Sequence, residues 1–299
     1  MKTPLSNIES IKPDFVVCHK CKSTKTKYRG IRHNAVGDKK YYVCTKCGSY
    51  TTPDDGFWRM RHTGEIISSA LELYYSGMSF SATASIFKRL FGITVTDVSV
   101  LKWIRKYSKY GIEFSKTVRP TLSGKWAIDE KFIKVKGKRG YLWLIKDKKR
   151  GFVIAKHVSS TREAVNAGIV LKKAKKVGTP KSINRDKYAG YQKKIAKIFP
   201  DTEDLVSKGF WHKNNNNSME STNSEFNAKY KTMRGFETFE SADDITDGWM
   251  VNHNFVKRDK ERGRTNAERC GIKCIPKVMP WLFMITTVAF TKMFLSAKF

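Results

Sequence analysis

The chain has 299 residues, of which 58 are lysine or arginine and 27 are aspartate or glutamate, giving a formal net charge of +31. A compact protein with this excess repels itself unless it binds a polyanion. The excess runs along the whole chain, which excludes a short targeting tail as its source and favours a nucleic-acid-binding surface. A ribosome-associated or merely very soluble basic protein is the alternative. The length allows two or three compact units.

Residues 1–56 are predicted to form a zinc ribbon. Four of the six cysteines stand in two Cys-x-x-Cys pairs, Cys18 with Cys21 and Cys44 with Cys47, around a strand-like stretch at 39–43. Each pair places two sulfurs on one tight turn, and four thiolates complete a tetrahedral site that suits Zn²⁺ in a reducing compartment. Because protein atoms fill all four positions, this metal is structural. A redox-active cysteine pair is the alternative.

Residues 57–120 are predicted to form a helix-turn-helix DNA-binding domain. The apolar spacing indicates three helices, at 65–76, 79–91 and 96–110. Thr96 is expected to cap the third helix, which would bury Val98, Leu101 and Ile104. The opposite face of that helix offers four basic side chains to DNA: Lys102, Arg105, Lys106 and Lys109. A three-helix core without DNA contacts is the alternative.

Residues 121–299 are predicted to alternate strands and helices. Three successive strands are indicated at 125–135, 141–146 and 152–158. A helix, a short strand and a second helix follow, at 161–176, 181–185 and 190–199. This order is typical of an α/β, ribonuclease-H-like fold, in which helices flank a mixed sheet.

An apolar segment at 278–295 raises the question of a membrane span. Thr286, Thr287, Thr291 and Lys292 interrupt it, and its length is close to the minimum for crossing a bilayer. We therefore expect a buried terminal helix.

Three acidic residues are candidates for phosphodiester chemistry with two divalent metal ions, which requires clustered oxygen ligands. Asp129 lies within the first predicted strand, and Asp186 ends the fourth. In a ribonuclease-H-like sheet these strands are neighbours, so both carboxylates would lie side by side. A third acid is expected from a helix packed across that strand pair. Glu220 fits, and on its helix Glu220, Asn223, Asn227 and Tyr230 share one face.

Three other acids compete for this role. Glu130 is expected to point away from Asp129, because successive side chains of a strand alternate between its faces. Asp147 lies in a predicted turn, and Glu225 lies on the same predicted helix as Glu220. Each acid taken alone is also compatible with an exposed or salt-bridged carboxylate.

The segment 128–138, Ile-Asp-Glu-Lys-Phe-Ile-Lys-Val-Lys-Gly-Lys, resembles the opening of DDE transposases, most closely the insertion-sequence six family and its archaeal relatives. Asp186-Lys-Tyr-Ala-Gly-Tyr is similar to the second-acid motif of that family. Asn216-Asn-Ser-Met-Glu is similar to its third motif, with Met-Arg-Gly-Phe at 233–236 downstream and a closing segment at 263–272. Asn266 and Arg185 depart from the family pattern.

The resemblance implies a DDE catalytic domain that binds Mg²⁺ or Mn²⁺ through Asp129, Asp186 and Glu220. It implies nicking and strand transfer at the ends of a mobile element. It also implies that Lys229, Lys231 and Arg234 contact DNA, and that the C-terminal apolar helix belongs to the catalytic domain with Trp281 and Leu282 inward. The expected partners are double-stranded DNA and a second copy of the chain, in the nucleoid-associated cytoplasm of a prokaryote.

Two other functions remain open from the sequence. One is a non-catalytic DNA-binding regulator derived from a transposase. The other is a structure-selective nuclease of the same fold. Cys270 and Cys274 are expected to be core or free thiols and not a second zinc site.

Overall fold

The computed structural model describes residues 15–34, 37–207 and 216–298. They divide into two compact units. One unit takes its described residues from 1–72 and 275–299, and the other from 73–274.

The first unit contains a small antiparallel sheet of three strands. Strand β1 (Thr26–Asn34) pairs with β2 (Gly37–Cys44), and β2 pairs with β3 (Tyr50–Thr51). The sequence pattern predicts a strand only at 39–43, inside β2. Most side chains of β1 are exposed, so that strand has no apolar alternation by which it could be recognised.

The same unit contains the C-terminal helix, which spans Pro280–Leu295 and is labelled α9 below. Trp281 and Leu282 are buried, as predicted. Their helix, however, groups with the N-terminal residues and not with the unit of residues 73–274, which corrects its expected place in the catalytic domain. A Cβ atom on Gly64 would lie 2.7 Å from Leu282 Cδ1, so the absence of a side chain there permits this close approach. No helix in the described ranges combines the length and the hydropathy that a bilayer span requires.

Three helices follow the ribbon: α1 (Gly64–Tyr75), α2 (Phe80–Phe91) and α3 (Asp97–Thr117). The Thr96 hydroxyl accepts a hydrogen bond from the Ser99 N–H, which confirms the predicted cap. The buried stripe of α3 differs from the prediction, because Val98 is 54% exposed. The large side chains of Trp103 and Tyr107 determine which face is buried, together with Val100, Ile104 and Phe114.

The second unit is built on a five-stranded mixed sheet. Its strands are β4 (Lys125–Val135), β5 (Lys138–Asp147), β6 (Val153–Ser159), β7 (Ser182–Arg185) and β8 (Glu203–Val206). Their spatial order is β6-β5-β4-β7-β8, with β4, β5 and β6 antiparallel and β7 and β8 parallel to β4. This is the predicted ribonuclease-H-like arrangement. Helices α4 (Ala164–Lys175) and α5 (Gln192–Ile198) connect the later strands.

Three more helices complete the second unit: α6 (Asn217–Met233), α7 (Phe239–Val251) and the short α8 (Asn266–Arg269). A five-residue π-helix, Asn252–Val256, continues α7. Helix α7 packs on α3 at Gly248, where the Tyr75 hydroxyl bonds to the Ser108 hydroxyl at 2.8 Å. A Cβ on Gly248 would lie 1.8 Å from Tyr75 Oη and 2.2 Å from Ser108 Oγ.

Gly248→Ala is therefore expected to destabilise the protein, because the added methyl overlaps a buried hydrogen-bonded pair. We expect a loss of about 1–3 kcal/mol in the free energy of unfolding, measured by urea denaturation. Gly168→Ala is the matched control, since the nearest atom to its Cβ would be Lys194 Cδ at 3.4 Å. That substitution should be neutral or stabilising by up to about 1 kcal/mol. Equal losses in both variants would contradict the packing argument.

Candidate metal centre

Two carboxylates converge where β4 and β7 run side by side. The parallel pairing sets Ala127 opposite Asn184, and two residues further along each chain come Asp129 and Asp186. One carboxylate oxygen from each of Asp129, Glu130 and Asp186 lies within 4.8 Å of the others. The structure thus brings together the first two predicted acids and adds Glu130.

The position of Glu130 corrects the expectation that it points away from Asp129. Its Oε1 accepts a hydrogen bond from Arg162 Nε at 2.5 Å, and its Oε2 accepts one from the Tyr191 hydroxyl. Strand alternation fixes the direction of Cβ but not the end of a long side chain. These two donors therefore hold the Glu130 carboxylate beside Asp186.

The electrostatics of the cluster favour a bound cation. Burial, followed by the negative charges of Glu130 and Asp186, raises the pKa of Asp129 to about 7. Hydrogen bonds from the Glu130 N–H and the Asn223 amide oppose that shift. Burial also raises the pKa of Glu130. A divalent cation that prefers oxygen ligands would stabilise carboxylates that lie this close together.

Helix α6 contacts β4 with its predicted polar face, which carries Asn223 and Tyr230. Asn223 Nδ2 donates to Asp129 Oδ2 at 2.8 Å, and the Tyr230 hydroxyl accepts the Lys134 N–H at 2.5 Å. Asn223 Oδ1 is buried and has no hydrogen-bond partner among the described residues. An unsatisfied carbonyl oxygen beside a carboxylate fits a cation site with oxygen ligands.

The third predicted acid lies outside the cluster. Glu220 is exposed on the first turn of α6, three residues before Asn223, and does not belong to the group of acids within 4.8 Å. Its helix contacts Asp129, whereas its own carboxylate does not join Asp129 and Asp186.

A buried lysine that sequence reasoning missed fixes the start of α6. Lys146 Nζ donates to the Ser218 carbonyl at 2.8 Å and to Thr222 Oγ1 at 2.6 Å. Burial lowers the pKa of Lys146 to about 8. The available signal was a lysine at the end of the apolar stretch 141–145, where a charge needs an internal partner.

The other two competing acids serve as structural anchors. Asp147 is fully buried and accepts hydrogen bonds from the Ser123 N–H and hydroxyl, at 2.5 and 2.9 Å. Burial alone would raise the pKa of Glu225, but hydrogen bonds and charges from His253 and Lys257 lower it to about 2. Neither acid belongs to the cluster around Asp129.

The four ribbon cysteines form a second candidate metal site. Cys18 Sγ lies 3.6 Å from Cys47 Sγ, Cys21 Sγ lies 3.5 Å from Cys44 Sγ, and all four sulfurs lie within 4.8 Å of one another. Four sulfurs 2.3 Å or so from a tetrahedral Zn²⁺ would show similar separations. Buried Cys270 and exposed Cys274 are not part of this group.

The basic residues predicted on α3 fall into two pairs. Lys102 and Lys106 are exposed. Arg105 instead forms ion pairs with Glu240 and Asp244, both at 2.9 Å, and Lys109 lies 3.3 Å from Asp244. The acids of α7 therefore neutralise part of the predicted DNA-binding face.

The basic residues predicted near the end of α6 also differ from one another. Lys231 and Arg234 are exposed. Lys229 is buried, and its Nζ donates to the Met78 carbonyl at 2.7 Å and lies 3.3 Å from the centre of the Tyr74 ring. This placement corrects the expectation for Lys229, because a buried ammonium group cannot meet a phosphate.

Comparison with known proteins gives one family match. Residues 123–259, a range that includes Asp129, Asp186 and Glu220, match the family model of a DDE domain. No curated protein sequence matches the chain.

Solved structures that are similar to this chain include retroviral integrases. The catalytic core domain of BIV integrase is 15% identical with a TM-score of 0.38, over 50% of this chain and 93% of that one. The HTLV-2 integrase catalytic core domain in complex with magnesium is 15% identical with a TM-score of 0.37, over 51% and 98%. The simian T-cell lymphotropic virus intasome in complex with a PP2A regulatory subunit is 14% identical with a TM-score of 0.38, over 66% and 70%.

The buried Lys229 generates a prediction about pH and stability. Burial lowers its pKa from 10.5 to about 7, so the folded state disfavours its charged form. Between pH 7 and about 10.5 the lysine is protonated in the unfolded chain and neutral in the folded chain. The free energy of unfolding of wild type should therefore decrease as the pH is lowered through this range. Lys229→Met removes this cost, so its stability relative to wild type should rise as the pH is lowered through that range.

Urea denaturation at pH 7, 8.5 and 10 measures this difference. Lys231→Met is the matched control, because Lys231 is exposed on the same helix. Its stability relative to wild type should not change with pH. A difference between Lys229→Met and wild type that is constant over the three pH values would contradict the burial of a titrating ammonium group.

Proposed function

We propose that this protein is a DNA transposase that cleaves the ends of a mobile element and joins their 3′-hydroxyl groups to target DNA. The match of residues 123–259 to the family model of a DDE domain supports this proposal. The observation that carries the proposal is the convergence of Asp129, inside β4, with Asp186, which directly follows β7. The helix that bears Glu220 contacts the first of these acids through Asn223.

Asp129, Asp186 and Glu220 are the proposed ligands for Mg²⁺ or Mn²⁺. Crowded carboxylates and the unsatisfied Asn223 oxygen support a hard cation at this place. When bound, a pair of such ions supplies Lewis acidity for the attacking and leaving oxygens of phosphodiester chemistry. The chain itself holds the Asp129 carboxylate in position through the Asn223 amide and the Glu130 N–H.

DNA binding is assigned to exposed basic residues. Lys102 and Lys106 on α3 and Lys231 and Arg234 at the end of α6 are the proposed contacts. Arg105 and Lys109 would first have to leave their ion pairs with α7, so we expect them to contribute less. Because a transposase must bring two element ends together, we infer that at least two copies of the chain act jointly. We also propose that the protein acts in the cytoplasm of a prokaryote, associated with the nucleoid.

One observation favours a second candidate function. Glu220 lies outside the acid cluster, which is the arrangement expected of a DNA-binding regulator that has lost catalysis. A nuclease of the same fold that cuts branched DNA is a further candidate. An assay of 3′-hydroxyl joining to target DNA separates these candidates, since only the transposase forms the joined product.

Asp129→Asn is expected to reduce Mg²⁺-dependent cleavage of element ends on the order of 10³-fold, because a neutral amide is a poorer metal ligand. DNA affinity should stay close to that of wild type, as measured by fluorescence anisotropy. Asp201→Asn, which alters an exposed acid of the same domain, should leave cleavage unchanged. Cleavage by Asp129→Asn at the wild-type rate would refute the assignment of the acids.

The ribbon is proposed to hold one Zn²⁺ per chain through its four cysteines. Cys44→Ser is expected to abolish zinc binding and to lower the melting temperature, because a Zn²⁺ ion held by the four sulfurs would link the turn at 18–21 to the end of β2. Cys274→Ser is the matched control, since that thiol is exposed and outside the cluster. The zinc content of the control, measured by inductively coupled plasma emission spectroscopy, should remain near one ion per chain. Equal zinc contents in the two variants would contradict the site.

A further inference from the structure

One arginine lies beside the three clustered acids. Arg162 lies in the connection between β6 and α4, and 38% of its side chain is exposed. Its Nε donates to Glu130 Oε1 at 2.5 Å, and its Nη2 lies 3.6 Å from Asp186 Oδ2. A single guanidinium group therefore faces two of the three carboxylates.

The side chain of Tyr188 holds Arg162 in this position. Its guanidinium carbon lies 4.6 Å from the centre of the Tyr188 ring, within the range of a cation–π contact. The Tyr188 hydroxyl donates to the Arg162 carbonyl, and the Tyr188 N–H donates to Asp186 Oδ1 at 2.9 Å. The same tyrosine thus positions both the arginine and the second acid.

Glu130 differs from the other two acids in its contacts. Arg162 occupies one of its oxygens, and the hydroxyl of the buried Tyr191 occupies the other. Only 3% of the Glu130 side chain is exposed. Both oxygens are satisfied by protein donors, so the side chain is suited to anchoring the arginine and not to binding a cation.

We propose that Arg162 is a built-in counter-ion of the acid cluster, held by Glu130 against Asp186, and that it lowers the affinity of Asp129 and Asp186 for divalent cations. This inference rests on the proposed metal site. Without a cation, three carboxylates within 4.8 Å repel one another, and the guanidinium offsets part of that repulsion. An arriving divalent ion is repelled by the same positive charge.

Calorimetric titration of the full-length protein with Mn²⁺ tests the proposal. Arg162→Met should bind Mn²⁺ roughly three- to tenfold more tightly than wild type, a modest factor because the arginine is partly exposed and screened. Without Mn²⁺ its melting temperature should fall, and Mn²⁺ should raise that temperature more than in wild type. Arg162→Lys keeps the charge but loses the planar group that stacks on Tyr188, so its Mn²⁺ affinity should lie between those of wild type and Arg162→Met.

A double variant separates the anchoring role of Glu130 from a role as a ligand. Arg162→Met with Glu130→Gln removes one positive and one negative charge, so its Mn²⁺ affinity should stay within about twofold of wild type. If Glu130 were itself a ligand, the double variant would bind about tenfold more weakly, and the proposal would be overturned. Arg258→Met is the charge-matched control, because Arg258 pairs with Glu268 and should not affect Mn²⁺ affinity.

Failure of the counter-ion role is distinguishable from failure of the metal site. Loss of Mn²⁺ binding in Asp129→Asn, with unchanged affinity in Arg162→Met, would overturn the counter-ion role alone. Mn²⁺ binding that Asp129→Asn leaves unchanged would overturn both this inference and the proposed metal site.

Discussion

The parallel pairing of β4 with β7 is the constraint on which the candidate metal centre depends. Three register pairs, from Lys125 opposite Ser182 to Ala127 opposite Asn184, align the two strands. Asp129 and Asp186 then emerge side by side, although 57 positions separate them in the chain. Two negative charges placed side by side cost free energy unless a positive charge lies near them. The remaining contacts of the site offset this cost, because Asn223, Arg162, Tyr188 and Tyr191 each donate a hydrogen bond to one of the acids.

The large positive charge of the chain is distributed between two roles. Some basic side chains are internal partners: Lys156 is buried against Asp243 and Asp247, and Lys146 fixes the start of α6. Others, such as Lys102 and Lys231, remain exposed. Net charge therefore overstates the surface available to a polyanion, because a buried lysine that is hydrogen-bonded inside the fold contributes little to binding DNA. The acids of α7 account for much of this internal neutralisation.

The periodicity of apolar residues predicted the strands and helices correctly where an element buries one or both of its faces. The predicted strand at 125–135 coincides with β4, and the order of the sheet followed from the order of the elements. Periodicity failed for β1, whose side chains are almost all exposed, and for the buried stripe of α3. In the first case no buried face exists to impose a pattern. In the second, two alternative apolar stripes were present, and the larger aromatic side chains determined which one packs inward.

The sequence by itself determined the chemistry-bearing residues whose neighbours are close in the chain or follow from the order of the strands. These are the four cysteines of the two Cys-x-x-Cys pairs, together with Asp129 and Asp186. Tertiary structure alone decided the contacts of long side chains: Glu130 turns toward the acids, Arg162 pairs with it, Lys229 is buried and Arg105 is neutralised by α7. The physical reason is that backbone periodicity fixes the direction of a Cβ atom, whereas the end of a long, flexible side chain settles where partners from distant segments satisfy its charge.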